Sequence, residues 1–279
     1  MNNYPHIKIL ILNWNGEKII ENCLNSVQKI KYNNYSIDVI DNGSSDQSNQ
    51  IIIEKFPNIK LHMIEKNIGY SKAYNKIFNK LKNNNFEYYL ILNNDVIVED
   101  NLLNELYNTM NKYGDNHIYG PKIYYSNNNF LWYGGGYFNK FLGVTLHDGI
   151  NKNESNYEYK TRKTKYVSGC CMLIKKKTIE DLYGFDENYT MYFEDVDLCY
   201  RASNISSFSY VSDSCSINHE VSYSLGKNSL YKKYIKIISQ IKFIYKHNYK
   251  ILFLLSLLIN IIILPFYILI NLNNKLFRL

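Results

Sequence analysis

The stretch at residues 88–95, YYLILNND, joins a run of apolar and aromatic residues directly to a polar, acidic end. A short continuous run of this kind predicts a buried β-strand, here at residues 88–92. Asn93, Asn94 and Asp95 follow at once, and these residue types also favour turns. A carboxylate directly after a buried strand is held at the edge of a sheet, where its oxygens can bind Mg²⁺ or Mn²⁺. The stretch therefore predicts either a metal-binding strand end or an ordinary turn.

The same arrangement occurs three times earlier in the chain, and a stretch with helical periodicity follows these polar clusters. The earlier apolar runs lie at residues 7–12, 37–40 and 61–64. Equivalent positions of the four clusters are spaced by 26 residues, at Asn15, Asp41, Asn67 and Asn93. This spacing fits repeated strand–helix units, whose right-handed crossovers place all four clusters at the carboxyl edge of a parallel sheet, where nucleotides bind. We therefore expect an α/β fold with a mostly parallel central sheet flanked by helices.

From residue 102 onward the pattern changes to shorter and less regular elements. Helices are predicted at residues 102–112 and 178–182, and a loop-rich stretch at 143–165. Strands are predicted at residues 118–125, 131–138, 167–174, 207–211 and 215–218. We expect this part to cover the carboxyl edge of the first half and to form the other wall of a cleft. One domain is therefore predicted at residues 1–225, with a nucleotide-binding half at 1–115 and a second half at 116–225.

The polar clusters contain several candidate nucleotide-binding residues. Asp41 and Asn42 offer hydrogen-bond acceptors for a base or a ribose, although the same residues suit a strand-to-helix turn. Gly69 has no Cβ atom, so a phosphate can approach the backbone close to Asn67. Trp14 either stacks on a base or fills a half-buried core position.

Three carboxylates, Glu194, Asp195 and Asp197, stand within four residues among apolar and aromatic neighbours. Such surroundings perturb the proton affinity of a carboxylate, which suits a general base. The alternative is an exposed helix N-terminus, where acidic residues interact favourably with the helix dipole. The apolar neighbours favour the base. His219 follows a predicted strand and is either a further metal ligand or an ordinary histidine at a strand end.

Composition narrows the range of partners for this chain of 279 residues. The net charge is +7, and six lysines without any acidic residue lie between residues 232 and 250. The sequence lacks the aromatic or Gly-rich motifs that accompany basic patches in nucleic-acid-binding proteins, so we expect no nucleic-acid partner. The five cysteines form no CxxC pair and have apolar neighbours. They predict free buried thiols in a reducing compartment and argue against a structural zinc site.

The C-terminal part of the sequence predicts attachment to a membrane. The twenty residues 251–270 carry no charge, and a helix of that length spans about 30 Å, the thickness of the hydrocarbon core of a bilayer. We predict a transmembrane or membrane-embedded helix there, after a basic amphipathic helix at 226–250; a buried or interfacial helix is the alternative. Six lysines precede the segment, and only Lys275 and Arg278 follow it. This bias predicts a cell-membrane protein whose large N-terminal domain is on the cytoplasmic side.

Taken together and in this order, the motifs resemble those of the family 2 glycosyltransferases, in particular the branch of rhamnosyltransferase-like enzymes of surface-polysaccharide assembly. The matching elements cover residues 7 to about 220 and are Leu12-Asn13-Trp14-Asn15-Gly16, Asp41-Asn42-Gly43-Ser44-Ser45-Asp46, Asn67 with Gly69, Tyr70 and Asn75, Asn93-Asn94-Asp95, Gly134-Gly135-Gly136, Ser168-Gly169-Cys170-Cys171-Met172, Gly184-Phe185-Asp186-Glu187, residues 193–198 with Arg201 and Ala202, and His219. Each motif alone is weak evidence, whereas nine motifs in register are specific.

The resemblance implies a GT-A fold and an inverting transfer of sugar from a nucleotide sugar, a UDP- or dTDP-sugar, to a hydroxyl group of a lipid-linked or cell-surface glycan. Residues 116–225 then form the acceptor-side half of the catalytic domain. The implied nucleotide-sugar-binding residues are Asn13, Trp14, Asn15, Asp41, Asn42, Asn67, Gly69, Asn93 and Asn94. The implied ligands of a divalent metal, Mn²⁺ or Mg²⁺, are Asp95 and His219. Asp195 is the implied general base, with Glu194 near the acceptor.

Two positions depart from the family pattern. Asn93 stands where the family often has Asp, which leaves Asp95 as the only anionic ligand of the metal motif, and Asn42 replaces a frequent Asp of the nucleotide motif. Two other functions compete with the implied one. A transferase that acts on polyprenyl phosphate meets an acceptor that is already ionised, so the base Asp195 is superfluous there. The other is a membrane-tethered, non-catalytic nucleotide-sugar-binding protein, and the presence of Asp95, Asp195 and His219 argues against it.

Overall fold

The computed structural model describes residues 4–126, 128–139, 144–153, 159–220 and 230–247. Its strands are β1 (Ile7–Asn13), β2 (Tyr35–Asn42), β3 (Lys60–Ile64), β4 (Tyr88–Asn93), β5 (Val96–Val98), β6 (Ile118–Tyr125), β7 (Leu131–Tyr133), β8 (Gly136–Asn139), β9 (Val144–His147), β10 (Arg162–Thr164), β11 (Cys171–Lys175) and β12 (Ser209–His219). Its helices are α1 (Ile20–Val27), α2 (Ser48–Lys55), α3 (Tyr70–Leu81), α4 (Leu102–Tyr113), α5 (Lys176–Asp181), α6 (Glu194–Asn204) and α7 (Leu230–Lys246).

The first half of the chain forms parallel strands joined by helical crossovers. Strands β4, β1, β2 and β3 lie side by side in this order and run parallel, with α1, α2 and α3 as the connections. Leu12 lies opposite Asn93, and Asn13 lies opposite Asp41. The strand ends and their polar clusters therefore lie next to one another, as the 26-residue spacing predicts. Ile9 is one of the fully buried residues of these strands, which carry much of the hydrophobic core.

The sheet as a whole is mixed, whereas a mostly parallel sheet was predicted. β11 lies between β4 and β6 and runs antiparallel to both. β12 runs parallel to β6 and antiparallel to β5 and β10. A parallel neighbour requires a long crossover, usually a helix, and the chain between β6 and β11 instead returns through the short strands β7 to β10. The pairing of Cys171 with Leu92 brings the start of β11 to the edge that carries the polar clusters.

Two further predictions on strands are corrected by the structure. The strand predicted at residues 131–138 is divided into β7 and β8, because Gly135 adopts a φ of 132° that interrupts the extended backbone. The two strands predicted near residues 207–218 are one strand, β12, which pairs with β6 along its length. An irregularity in the register between Val211 and Ser216 accounts for the break in the sequence pattern.

The strand predicted at residues 167–174 begins only at Cys171. The backbone N–H of Gly169 donates a hydrogen bond of 2.9 Å to the carboxylate of Asp195 rather than to a neighbouring strand. The residues before β11 therefore form a turn next to the start of α6.

Helix α7 is attached to the segment around the start of α6. Ser239 donates a hydrogen bond of 2.8 Å to the backbone carbonyl of Met191. The ammonium group of Lys246 lies 2.7 Å from carboxylate oxygens of both Asp186 and Asp197. These contacts fix the helix against the second half of the domain.

The membrane helix predicted at residues 251–270 lies outside the described residues. Every helix in the described ranges is too short or too polar to cross a bilayer.

All five cysteines are buried, unpaired thiols, as predicted. Burial raises the pKa of Cys23 and of Cys199 to about 12. These thiols therefore stay protonated at neutral pH and act as core residues.

Candidate active site

A cavity of about 360 Å³ lies at the carboxyl edge of the parallel strands, where the end of β4 meets the start of α6. The predicted site residues that line it are Trp14, Asn42, Asn67, Gly69, Asn93, Asn94, Asp95, Glu194, Asp195 and His219. Its volume falls within the range of roughly 300–1,000 Å³ that is usual for small-molecule sites. The structure therefore brings most of the predicted residues to one concave space.

Asn13, Asn15 and Asp41 do not line this cavity, although the resemblance implies that they bind the nucleotide sugar. The side-chain amide of Asn13 donates a hydrogen bond of 3.2 Å to Asp41 and accepts one of 2.8 Å from Asn94. The side-chain oxygen of Asn15 accepts a hydrogen bond of 2.9 Å from the backbone N–H of Ser45. The structure places these three side chains where they hold the strand ends in position beside the cavity.

One wall of the cavity consists of the loops that follow β2 and β3. Asn42 donates a hydrogen bond of 3.1 Å to the side-chain oxygen of Asn67 and accepts one of 3.0 Å from the backbone N–H of Ile68. Gly69 has a φ of 87°, and a Cβ atom there would lie 3.3 Å from the backbone oxygen of Thr190. A side chain at this position is therefore disfavoured both by the backbone conformation and by the close approach of the neighbouring chain.

Asp95 and His219 meet because β5, which starts directly after Asp95, pairs with the end of β12. Oδ1 of Asp95 lies 3.2 Å from Nε2 of His219. This oxygen is buried and accepts no hydrogen bond. The thiol of Cys170 lies 3.8 Å from each ring nitrogen of His219. A buried carboxylate oxygen is costly unless it is paired, and the close partner of this one is the imidazole of His219.

The two side chains fit a divalent cation such as Mn²⁺. Carboxylate oxygen and imidazole nitrogen are both suitable ligands, and Oδ1 of Asp95, which is buried and accepts no well-aligned hydrogen bond, is the atom that a cation would bind. Within the described residues, no group of three or more His, Cys, Asp or Glu side chains is arranged to hold a metal ion. The remaining ligands would therefore have to come from substrate oxygens or water, as is usual for cations that bind together with a substrate phosphate.

Glu194 and Asp195 form the first turn of α6. The carboxylate of Asp195 accepts hydrogen bonds from the backbone N–H groups of Gly169 (2.9 Å) and Val196 (2.8 Å). Glu194 is only 7% exposed, and its Oε2 accepts no hydrogen bond. Burial raises the pKa of both carboxyl groups, and the charge of Asp195 raises the pKa of Glu194 further. Carboxylates with a raised pKa at a cavity are suited to take up a proton.

The backbone directly before these acids is strained. Tyr192 and Phe193 have φ values of 64° and 67°, in the left-handed region. This conformation costs about 1–3 kcal/mol for each non-Gly residue and persists only where the surroundings enforce it. Phe193 is almost fully buried and packs against Phe243 of α7, with 5.5 Å between the ring centres. The strained backbone, held by the packing of Phe193, therefore fixes the direction in which the carboxylates of Glu194 and Asp195 point.

Asp197, the third carboxylate of the cluster, does not line the cavity. It is fully buried and accepts hydrogen bonds from Arg201 (2.7 Å), Lys246 (2.7 Å) and His247 (2.8 Å). Burial alone raises its pKa, but the hydrogen bonds and charges of these partners outweigh burial and lower it. Asp197 therefore connects α6 to the C-terminal end of α7.

The residues that line the cavity without being predicted site residues include Tyr70, Trp132, His147, Lys232 and Lys236. The ring of Trp132 contacts the rings of His219 and His147 edge-on, with centroid distances of 4.8 and 4.6 Å. Burial lowers the pKa of His147 to about 4, so its imidazole is neutral at neutral pH. Trp132 lies two residues before the motif Gly134-Gly135-Gly136, and the two lysines belong to the basic stretch for which a membrane partner is predicted.

Comparisons with known sequences agree with the resemblance. The sequence profile of glycosyl transferase family 2 matches residues 8–183. The N-acetylglucosaminyl-diphospho-decaprenol L-rhamnosyltransferase of Mycobacterium tuberculosis is 24% identical over 212 residues, which cover 69% of this chain and 69% of the relative. The low-salt glycan biosynthesis hexosyltransferase Agl10 of Haloferax volcanii is 26% identical, and the match covers 70% of this chain and 61% of the relative.

Solved structures show the same architecture at low identity. GalNAc-T7 with UDP, GalNAc and Mn²⁺ gives a TM-score of 0.70 at 13% identity, over 88% of this chain and 48% of that chain. The mannosyltransferase of Pyrobaculum calidifontis with GDP-Man and Mn²⁺ gives a TM-score of 0.61 at 13% identity, over 88% of this chain and 65% of that one. The chain thus spans about half the length of the GalNAc-T7 chain, and these two similarities concern the fold alone.

Proposed function

This chain belongs to glycosyltransferase family 2, and from that premise we propose that it transfers a sugar, with inversion, from a nucleotide sugar to a hydroxyl group of a lipid-linked or cell-surface glycan. It is a glycosyltransferase with the GT-A α/β fold, a mixed sheet and flanking helices. The observation that carries the proposal is that the candidate metal ligands Asp95 and His219 and the candidate base Asp195 line one cavity.

Asp195 is the proposed general base. In an inverting transfer the acceptor oxygen attacks the anomeric carbon from the face opposite the leaving group, and a base takes the hydroxyl proton. The new C–O bond forms while the bond between the anomeric carbon and the diphosphate oxygen breaks. The raised pKa of Asp195 and its hydrogen bonds from Gly169 and Val196 support this role. An acceptor that is already ionised, such as polyprenyl phosphate, would need no base, so Asp195 favours a hydroxyl acceptor.

Asp95 and His219 are the proposed ligands of a divalent cation, Mn²⁺ or Mg²⁺. When bound, such a cation offsets the negative charge that develops on the leaving nucleoside diphosphate. Asn42, Asn67 and Gly69 are proposed to bind the nucleotide on the neighbouring wall. Asn93 and Asn94, at the end of β4, complete this set between the cation and the nucleotide. Asn13, Asn15 and Asp41 hold these loops in place.

The relatives support the proposed donor and acceptor. The mycobacterial relative is named as an L-rhamnosyltransferase of N-acetylglucosaminyl-diphospho-decaprenol, which favours a lipid-linked acceptor here. The two structural neighbours contain UDP with Mn²⁺ and GDP-Man with Mn²⁺. We propose a UDP- or dTDP-sugar as the donor and Mn²⁺ or Mg²⁺ as the cation.

The proposed location is the cytoplasmic face of the cell membrane, supported by the uncharged residues 251–270 and the lysines before them.

Thermal unfolding in the presence of nucleotide sugars tests this proposal. A donor that binds the folded state raises the unfolding temperature by mass action. We expect at least one UDP- or dTDP-sugar to raise it, and to raise it more with Mn²⁺ than without. The Asp95→Asn variant should lose the part of the rise that depends on Mn²⁺. If no nucleotide sugar raises the unfolding temperature under either condition, the proposal is wrong. A rise without any transfer to a glycan acceptor would favour a non-catalytic binding protein.

A further inference from the structure

Helix α7 presents two cationic side chains to the cavity of the proposed active site. Lys232 and Lys236 both line it. They are four residues apart on one helix, so they lie on the same face with about 6 Å between their Cβ atoms. Lys233, which is the next residue along the helix, does not line the cavity. The basic stretch therefore faces the active site with two of its lysines.

The position of these lysines is fixed by the anchoring of α7. Ser239 is bound to the carbonyl of Met191 (2.8 Å), and Lys242 is bound to the carbonyl of Asn188 (2.7 Å). Further along, Asp197 accepts hydrogen bonds from Lys246 and His247. The same segment, residues 186–197, carries both the anchor points and the candidate base. The two lysines are thus held to the element that positions the proposed chemistry.

The lysines lie along a row of cavity residues. Asp95, His219, Trp132 and His147 follow one another through contacts of 3.2, 4.8 and 4.6 Å. Lys232 interacts electrostatically with Asp95 at one end of the row, and Lys236 with His147 at the other. The neutral His147 offers no charge there. Lys236 lines the cavity, so its ammonium group can meet an anionic ligand there.

We infer that Lys232 and Lys236 bind the oxygens of a diphosphate group in this cavity. The inference rests on the proposed function, because a nucleotide sugar supplies such a group. Two ammonium groups one helical turn apart match the spread of oxygens over two linked phosphates, and charge-assisted hydrogen bonds to phosphate are strong. The proximity of Lys232 to Asp95 favours the donor's diphosphate. A diphosphate-linked lipid acceptor carries the same chemistry, and the experiment distinguishes the two.

The test measures nucleotide affinity by calorimetry with the full chain and Mn²⁺. The probes are UDP and dTDP, each compared with UMP or dTMP, on wild type, Lys232→Met, Lys236→Met and the double variant. Methionine keeps the apolar stem and removes the charge. We expect the double variant to bind the nucleoside diphosphate at least about tenfold more weakly, with a smaller loss for the monophosphate. The matched control Lys233→Met, on the same helix but away from the cavity, should bind like wild type.

The second arm measures the KM of a short-chain prenyl diphosphate-linked sugar at saturating donor. The double variant could keep the wild-type affinity for nucleoside diphosphate while its KM for this acceptor rises about tenfold. That result assigns the two lysines to the diphosphate of the acceptor. If both quantities are unchanged in the double variant while wild type binds UDP or dTDP, the inference is wrong and the proposed function stands. If wild type binds no nucleoside diphosphate at all, both fail. Unfolding temperatures equal to that of wild type show that the variants are folded.

Discussion

Glu194 and Asp195 are neighbours in the first turn of α6, yet their surroundings differ. Asp195 has two backbone N–H donors, whereas Oε2 of the buried Glu194 has none. A carboxylate that lacks donors is stabilised in its protonated form by burial, and the charge next to it adds to this effect. The pair therefore divides into a carboxylate that is held ready to accept a proton and a neighbour that resists ionisation.

This difference predicts a pH-dependent gain in stability for Glu194→Gln. Burial raises the pKa of Glu194 in the folded state, so its contribution to stability is present at acidic pH and is lost as the pH rises through that pKa. Removing the ionisable group should therefore raise the unfolding temperature at neutral pH, by about 2–4 °C for each kcal/mol in a protein of this size. The gain should disappear at acidic pH, where Glu194 is protonated in both states. Calorimetric unfolding over a pH series measures it.

The exposed Glu54 provides the control, because its carboxylate lies on the surface of α2. Glu54→Gln should leave the unfolding temperature nearly unchanged at every pH. An equal gain for Glu194→Gln at acidic and neutral pH would contradict the assigned cause.

For individual residues, the sequence predicted which residue types gather at the site, but not the direction in which each side chain points. Asp95 and Asp195 stand at element ends that the pattern identifies, and both line the cavity. Asn13 and Asp41 stand at equally clear strand ends, yet they face each other across paired strands and bond together. The sequence does not reveal that partner, because the contact depends on the register between β1 and β2.

Among the elements, α7 is joined to α6 by one buried carboxylate as well as by ring contacts such as that between Tyr200 and Phe243. Asp197 accepts hydrogen bonds from Arg201 within α6 and from Lys246 and His247 at the end of α7. A buried charge with several donors is stabilising as long as all partners remain, and the loss of one member leaves the others uncompensated. This carboxylate therefore controls how firmly α7 is held against the cavity.

Asp197→Asn should lower the stability of the protein at neutral pH by about 1–3 kcal/mol, because three donors lose their charged acceptor. The partners lower the pKa of Asp197 in the folded state, so its stabilising effect is present above the pKa of the unfolded chain and is lost as the pH falls through the folded-state pKa. The difference from wild type should therefore shrink in acid. Denaturant unfolding at neutral and acidic pH measures both effects.

Asp100→Asn is a suitable control, since Asp100 forms an exposed ion pair with Lys31 whose side chain is 75% exposed. Such surface pairs contribute little, so this variant should unfold like wild type. A loss for Asp197→Asn no larger than for Asp100→Asn would show that the carboxylate does not hold the two helices together.

How well a strand could be predicted depended on how far it lies in the sequence from the strand with which it pairs. The 26-residue spacing predicted β1 to β4, since each strand–helix unit is local in sequence. The insertion of β11 between β4 and β6 was not predictable, because it pairs residues about 80 positions apart and follows no local pattern. Gly135 divided the strand predicted at residues 131–138 through a backbone conformation that only the structure reveals.

Across the whole molecule, the cavity unites residues from both halves of the domain and from α7. Asn42 and Asp95 come from the parallel half, Asp195 from the second half, and Lys232 from the basic stretch. The sequence indicated the family and the two halves. It did not indicate that α7 reaches the cavity, because six lysines before an uncharged segment also fit a membrane surface. The docking of α7 depends on tertiary contacts such as that between Ser239 and Met191.

Asp195 is proposed to take the proton of an acceptor hydroxyl, whereas binding of the donor in the same cavity does not depend on Asp195. The most direct measurement is the rate of transfer of a labelled sugar from the stabilising nucleotide sugar to a prenyl diphosphate-linked glycan, by wild type and by Asp195→Asn. Donor affinity is measured by calorimetry on the same preparations. We expect the rate to fall by at least about 100-fold, while donor affinity changes by less than about twofold. An Asp195→Asn variant that binds the donor normally and transfers at the wild-type rate would contradict the claim.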